Sequence, residues 1–143
     1  ASNKESVNNL NLKVKKRKYF QPLAPIILEE DFKKYFLINK SIVKNLEWMG
    51  VLCDAKEELY NKYSSIIHVD GTCRAQIVKN EYSLTYKILK NLKKSGSDIL
   101  VNTSFNISKD PVVFDLYDVY VNMKRMNIKF VIMDDGLYQT KDI

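Results

Sequence analysis

The stretch Ala24-Pro25-Ile26-Ile27-Leu28, followed without a break by Glu29-Glu30-Asp31, constrains the fold of this chain more than any other feature. Pro22 and Pro25 bracket an extended entry, because proline fixes its own φ and disfavours helical geometry in the residue before it. The apolar run then reads as a buried strand. Directly after it, Phe32, Tyr35 and Phe36 recur at helical spacing, so Glu29–Phe36 is expected to be a short helix with those aromatics on one side. A sequence that passes from strand to helix periodicity between adjacent residues builds layers of both kinds.

The same alternation continues. Trp48–Cys53 reads as a strand, Lys56–Tyr63 as a polar helix or loop, and Ile66–Val78 as a strand-like run interrupted by Gly71. Asn39–Leu46 is a weaker connection. Asn80 is placed to cap a helix in which Leu84, Ile88 and Leu92 recur, closed by Lys93, Lys94 and Gly96. Ile99–Val101 is a short apolar strand. Asp115 caps a helix carrying Leu116, Val119, Tyr120 and Met123 on one face, and Ile128–Met133 reads as a buried strand before a turn at Gly136. Periodicity leaves Leu10–Arg17 open: Leu10, Leu12 and Val14 alternate as in a strand, whereas Val7, Leu10 and Val14 fit one helical face. Residues 1–9 are polar and expected to be loose. The expectation is one α/β domain, with α+β as its variant, over residues 10–143.

Composition narrows the setting. With 45% hydrophobic and 28% charged residues the chain is globular, and no apolar run approaches the roughly 20 residues that span a bilayer. No membrane contact is therefore expected. Cys53 and Cys73 lack close spacing and read as buried thiols of a reducing, cytoplasmic compartment. One histidine and no close cysteine pair argue against a structural zinc site, and no metal ligands are expected. The net charge of +6 is uneven, with five cations in the six positions Lys13–Lys18. A solvated basic segment, a triphosphate site and a nucleic-acid site are the readings of that run. A groove for nucleic acid usually interleaves aromatics with cations. Here only Tyr19 and Phe20 follow, at one end, so nucleic acid is not the expected partner.

Two motifs carry chemistry. Asn102-Thr103-Ser104-Phe105-Asn106 follows an apolar strand, where ligands of open α/β sheets collect. Its hydroxyls and amides suit phosphate oxygens or a carbamoyl group, which has a donor and an acceptor end; the bland alternative is a polar turn. In His68-Val69-Asp70-Gly71-Thr72-Cys73-Arg74, alternation projects His68, Asp70, Thr72 and Arg74 from one face if Gly71 does not bend the strand. Arg74 would be the fork for phosphate or carboxylate, or else would pair with Asp70 on an exposed face.

Taken in order, three segments resemble the C-terminal domain of the O-carbamoyltransferases, the family of nodulation-factor and antibiotic carbamoyltransferases. They are Leu10–Lys15 with Phe20-Gln21-Pro22-Leu23-Ala24-Pro25, then His68–Gln76, then Asn102–Asn106 with Pro111. The resemblance runs from about Leu10 to Tyr138. It implies a single YrdC-like domain, a twisted mixed sheet flanked by helices, partnered by an N-terminal domain of ASKHA type that is absent from this sequence. It further implies formation of carbamoyl-adenylate from carbamoyl phosphate and ATP, with Mg2+, releasing phosphate and pyrophosphate. The ASKHA-type domain then transfers the carbamoyl group to a substrate hydroxyl. By the same resemblance Lys15 contacts phosphate, Arg74 binds carbamoyl phosphate or the adenylate, and Thr103, Ser104 and Asn106 line the nucleotide site beside Asn102. His68, Asp70 and Thr72 are either ligands or supports.

The sequence departs from the family in two places. Gln21 stands where the family has arginine, and Ile107-Ser108-Lys109-Asp110-Pro111 replaces x-Arg-Gly-Glu-Pro. Lys109 supplies charge from one position along, although lysine and arginine are not equivalent on a phosphate. The family's Gly-Pro-Arg-Ala-Leu-Gly segment does not precede Leu10, as in an excised or split protein. The losses at Gln21 and Ser108 keep a second reading in play, a non-catalytic nucleotide- or RNA-binding module of YrdC-like fold. A third, a free-standing YrdC-type enzyme of tRNA modification, is disfavoured by the segment Leu10–Pro25.

Overall fold

The computed structural model describes residues 1–37, 43–133 and 135–142. They form a mixed α/β structure in two compact units, one made of residues 1–7 and 22–103, the other of residues 8–21 and 104–143.

The first unit is built on β1 (Ala24–Leu28), the central strand of a mixed sheet. β4 (Gln76–Val78) runs parallel to it on one side, and β5 (Ile99–Asn102) antiparallel on the other. Ile27 stands in register with both Ile77 and Ile99, and all three are buried. This row of branched side chains is one wall of the core. α2 (Glu29–Tyr35) follows β1 as expected, with Glu29, Glu30 and Asp31 in its first turn and Lys33 and Lys34 in its last, matching the helix dipole. It buries Phe32 and Tyr35, with Phe36 just beyond, against Leu59 and Tyr63 of α4 (Glu57–Tyr63) and against Ile66, Cys73 and Ala75. The helical option for Lys56–Tyr63 is the one realised.

α5 (Leu84–Lys94) is capped by Ser83, whose hydroxyl accepts from the Tyr86 amide at 3.2 Å. Asn80, expected as the cap, instead accepts from the Tyr82 amide in the turn three residues before the actual cap. The helix buries Leu89, while Leu84 is exposed, so the inward face differs from the expected Leu84–Ile88–Leu92 row. Gly96, at φ +82, closes the helix in the left-handed conformation.

Several other expectations are corrected. Lys4–Asn9 is helix α1 with Val7 buried, so the first nine residues are not loose throughout. Trp48–Cys53 is not a strand. Trp48 and Gly50 donate their amides to the Asn45 carbonyl at 3.3 and 2.9 Å, folding a turn behind α3 (Val43–Leu46), and only β2 (Cys53–Asp54) pairs. Its partner is β3 (Thr72–Cys73), antiparallel. The weak connection expected over 39–46 lies partly outside the described residues.

In the second unit, Leu10–Val14 is a π-helical turn, in which the Lys15 amide donates to the Leu10 carbonyl at 2.8 Å. Neither open reading anticipated this wider turn. α6 (Leu116–Met126) is capped by Asp115 as expected, and Asn127 at φ 52 ends it. Its buried residues are Asn122, Met123 and Met126, whereas Leu116 is exposed. β6 (Phe130–Met133) pairs antiparallel with β7 (Gly136–Gln139). Phe130 and Ile132 are exposed, so the expected buried strand is one arm of a hairpin. Among the described residues no helix is long and apolar enough to cross a membrane.

Candidate functional site

The site of the second unit centres on Lys15. The π turn and the left-handed Lys16 (φ 50) after it turn the Lys15 side chain inward, where the residue is 2% exposed. Its ammonium donates to Asn106 Oδ1 at 2.8 Å, to Ser104 Oγ at 3.3 Å and to the Ser104 carbonyl oxygen. The backbone closes the same loop, since the Ser108 amide donates to the Lys15 carbonyl at 2.9 Å. Burial lowers the ammonium's pKa from the usual lysine value, and the nearby Arg17 guanidinium adds to that. Three oxygen acceptors hold the charge in place against this desolvation.

Ser104 Oγ donates to Asn106 Oδ1 at 2.6 Å, and Asn106 Nδ2 donates to the Asp110 carbonyl at 2.6 Å. Asp110 in turn lies 2.8 Å from Arg125 of α6. Lys15, Ser104 and Asn106, expected at the site from separate segments, are thus brought into contact. Lys109 is exposed, in the left-handed region at φ 75.

Two further residues support Lys15 that side-chain type alone did not single out. Asn11 is fully buried, donating to the carbonyls of Tyr19 and Gln21 at 3.1 and 2.9 Å and accepting from Arg17 Nε at 2.7 Å. It ties Arg17 and the backbone that follows the basic segment to the π turn. The signal was its place in Leu10-Asn11-Leu12, a polar residue between apolar ones. Gln21, the departure from the family's arginine, contributes through its backbone carbonyl.

In the first unit, Gly71 does bend the chain. It takes φ +84, and a Cβ there would stand 2.8 Å from the Tyr60 hydroxyl oxygen. The His68 amide donates to the Thr72 carbonyl at 2.8 Å and the Gly71 amide to the His68 carbonyl at 3.0 Å, forming a tight turn in place of a flat strand face. Within it Asp70 Oδ1 accepts from the Thr72 amide at 3.0 Å and the Thr72 hydroxyl at 2.7 Å. Thr72 Oγ1 also lies 3.1 Å from His68 Nδ1. The Thr72 hydroxyl and then its amide hold the Asp70 carboxyl below the usual carboxylate value. The alternative Asp70–Arg74 pair is not formed: Arg74 is exposed and, among the described residues, makes no ion pair.

Asn102 ends β5, and its Nδ2 donates to Gln76 Oε1 at 2.9 Å across β1. Thr103 beside it is half-buried. Gln76 and Asn102 line a cleft of about 550 Å3, together with Trp48, Lys79, Asn80 and Ser83. Gln76 belonged to the His68–Gln76 motif but was not singled out there.

Over residues 1–140 the sequence matches the family described as Carbamoyltransferase C-terminus. The chain belongs to the carbamoyltransferase C-terminal family. Among its relatives, the nodulation protein NolNO of Sinorhizobium fredii is 35% identical over 82% of this chain and 17% of its own length. The nodulation protein NolO of Bradyrhizobium diazoefficiens is 35% identical over 80% of this chain and 21% of its own. This carbamoyltransferase domain therefore spans about a fifth of those relatives. The solved structure of full-length HypF in its phosphate- and nucleotide-bound form matches with a TM-score of 0.65 at 24% identity, covering 88% of this chain and 16% of that one. That likeness shows the fold, which is YrdC-like.

Proposed function

We propose that this chain is the carbamoyl-activating domain of an O-carbamoyltransferase. It forms carbamoyl-adenylate from carbamoyl phosphate and ATP, for transfer to a substrate hydroxyl by an ASKHA-type domain. The observation that carries the reading is the convergence of buried Lys15 on Ser104 and Asn106. An ammonium fixed in a poorly hydrated site stabilises charge that accumulates on phosphate oxygens as a bond to the α-phosphorus forms. Ser104 and Asn106 aim it by taking its three N–H donors, and a phosphate oxygen engages it by replacing one of those acceptors as the charge develops.

The other motif residues take matching roles. Arg74, exposed, offers its planar fork to the phosphate of carbamoyl phosphate. Asn102 and Gln76 present amides that donate and accept, complementary to the two ends of a carbamoyl group. In the second unit, Lys109 adds an exposed cation to the loop that carries Ser104 and Asn106. The net reaction consumes carbamoyl phosphate, ATP and one water, and yields carbamoyl-adenylate, phosphate and pyrophosphate. Among the described residues no group of three or more His, Cys, Asp or Glu side chains is arranged to hold a metal ion. A Mg2+ ion would arrive with ATP, whose phosphate oxygens and waters supply most of its ligands.

The test is pyrophosphate release from ATP by the chain with and without carbamoyl phosphate. Dependence on carbamoyl phosphate is expected, and release indifferent to it would remove the proposal. The second reading, a binding module for single-stranded RNA, draws on the exposed Lys13, Lys16 and Lys18 beside the exposed Tyr19–Phe20 pair. RNA affinity that falls steeply with salt, without any pyrophosphate release, would favour it.

A further inference from the structure

The adenylation proposed for this chain consumes one water, and the role inferred for His68 rests on that reading. The carbamoyl carbon has to exchange its bond to the phosphate oxygen for a bond to a new oxygen before that oxygen attacks ATP. Some group must take the water's proton. Among the residues of the first unit singled out above, Arg74 is a cation with donors only and Asn102 a neutral amide and weak base. Asp70 spends Oδ1 on two bonds from Thr72, which hold its carboxyl below the usual carboxylate value and make it the weaker base. His68 remains, and the geometry around it sets which ring nitrogen carries hydrogen.

Thr72 Oγ1 stands 2.7 Å from Asp70 Oδ1 and 3.1 Å from His68 Nδ1. A threonine hydroxyl has one proton to give. An ionised carboxylate can only accept, and a bond to it is the shorter and stronger kind. The Thr72 proton therefore points at Asp70, so the Thr72 oxygen meets His68 as an acceptor and Nδ1 must be the donor. In the neutral ring Nε2 then carries a free lone pair. The turn fixes the arrangement at both ends of the segment, through the His68 amide on the Thr72 carbonyl and the Gly71 amide on the His68 carbonyl.

We propose that His68 is the proton acceptor for the water that opens carbamoyl phosphate, with Thr72 and Asp70 as positioning residues that hold it in its Nδ1-protonated form. As the water oxygen bonds to the carbamoyl carbon, Nε2 takes one of its protons. The bond from that carbon to the phosphate oxygen breaks, and the departing phosphate takes the proton back from Nε2. Carbamic acid remains, loses its acidic proton to solvent, and as carbamate attacks the α-phosphorus of ATP with loss of pyrophosphate.

The chain's single histidine makes the tautomer directly readable. A long-range proton–nitrogen correlation spectrum of the neutral ring is expected to show hydrogen on Nδ1, retained in Thr72→Ser and lost in Thr72→Val. A wild-type ring protonated on Nε2 overturns the relay. For the base role, His68→Gln should lower carbamoyl phosphate-dependent phosphate release by about 100-fold or more in kcat, with the KM for ATP little changed. Ammonium carbamate, which enters after the water step, should restore pyrophosphate release to that variant. Undiminished phosphate release, or failure of carbamate to rescue, overturns the assignment of His68. A wild-type chain that makes pyrophosphate from neither compound sinks the adenylation reading and the base role with it. A wild type active with carbamate alone keeps the adenylation chemistry and overturns only the base role.

Discussion

Lys15 Nζ stands 2.8 Å from Asn106 Oδ1, although 91 residues of chain separate the two. The contact joins a π turn near one end of the chain to the loop after β5. Replacing Lys15 by Met keeps the bulk, removes the charge, and leaves Asn106 Oδ1 and the Ser104 carbonyl without their common donor. The expected loss is about 3 kcal/mol of transition-state stabilisation, or roughly a hundredfold in kcat/KM for pyrophosphate release. Lys15→Arg should not restore it, because a planar fork cannot reproduce a compact ammonium on three convergent acceptors.

Asp98, buried at the head of β5, accepts from Tyr35 and Tyr63 hydroxyls at 2.7 and 2.9 Å and from Lys62 and Lys34 at 2.9 and 3.1 Å. Burial alone would raise its pKa, but the bonds from Lys62, Tyr35, Tyr63 and Lys34 outweigh it and hold the carboxyl well below the usual carboxylate value. Both lysines are substantially exposed, so solvent screening discounts what their charge adds to stability, whereas the tyrosine bonds are buried. Asp98→Asn should cost about 2 to 3 kcal/mol in urea unfolding at neutral pH. The folded pKa is depressed, so this stabilisation is fully present above the unfolded carboxylate value of about 3.9 and is lost as pH falls through the folded value. The gap between wild type and variant should therefore narrow in acid.

Gly71 and Gly96 both sit in the left-handed region, at φ +84 and +82, but only at Gly71 would a Cβ meet a neighbour, the Tyr60 hydroxyl. Gly96→Ala should cost about 1 kcal/mol for the backbone alone. Gly71→Ala should cost more in the same denaturation experiment, and Tyr60→Phe should recover part of the difference.

Cys53 and Cys73 face one another across β2 and β3, both buried as free thiols. Burial pushes them up to about 11 and about 12 respectively. Since the thiolate is the reactive form, both should resist alkylation at pH 8 in the folded chain and react promptly once it is unfolded. Mass spectrometry after timed iodoacetamide treatment reads this directly.

How far the sequence foretold these features varied with how local their causes are. β1 and α2 were legible because Ala24–Leu28 and the Phe32–Tyr35–Phe36 row state their own periodicities. Lys15, Ser104 and Asn106 were singled out through family resemblance, but their contact was not legible, since nothing in their spacing requires it over 89 and 91 residues. The turn at Trp48–Gly50 was not, because an apolar run looks like a strand until the Asn45 carbonyl collects two of its amides. Ile128–Met133 was misjudged for a related reason. Apolar side chains on a two-stranded hairpin alternate as they would in a buried sheet, and here Phe130 and Ile132 stand exposed on one arm of it. The His68–Thr72 turn depended on Gly71 taking a positive φ, which a strand-like pattern conceals.

The central claim is that Lys15, Ser104 and Asn106 form a working adenylation site. It is tested most directly by exchange of radiolabelled pyrophosphate into ATP, run with carbamoyl phosphate on the wild-type chain and on Lys15→Met. Exchange that requires carbamoyl phosphate and falls about a hundredfold in the variant is the predicted result. Exchange that ignores carbamoyl phosphate, or that survives the loss of Lys15 intact, would contradict the account.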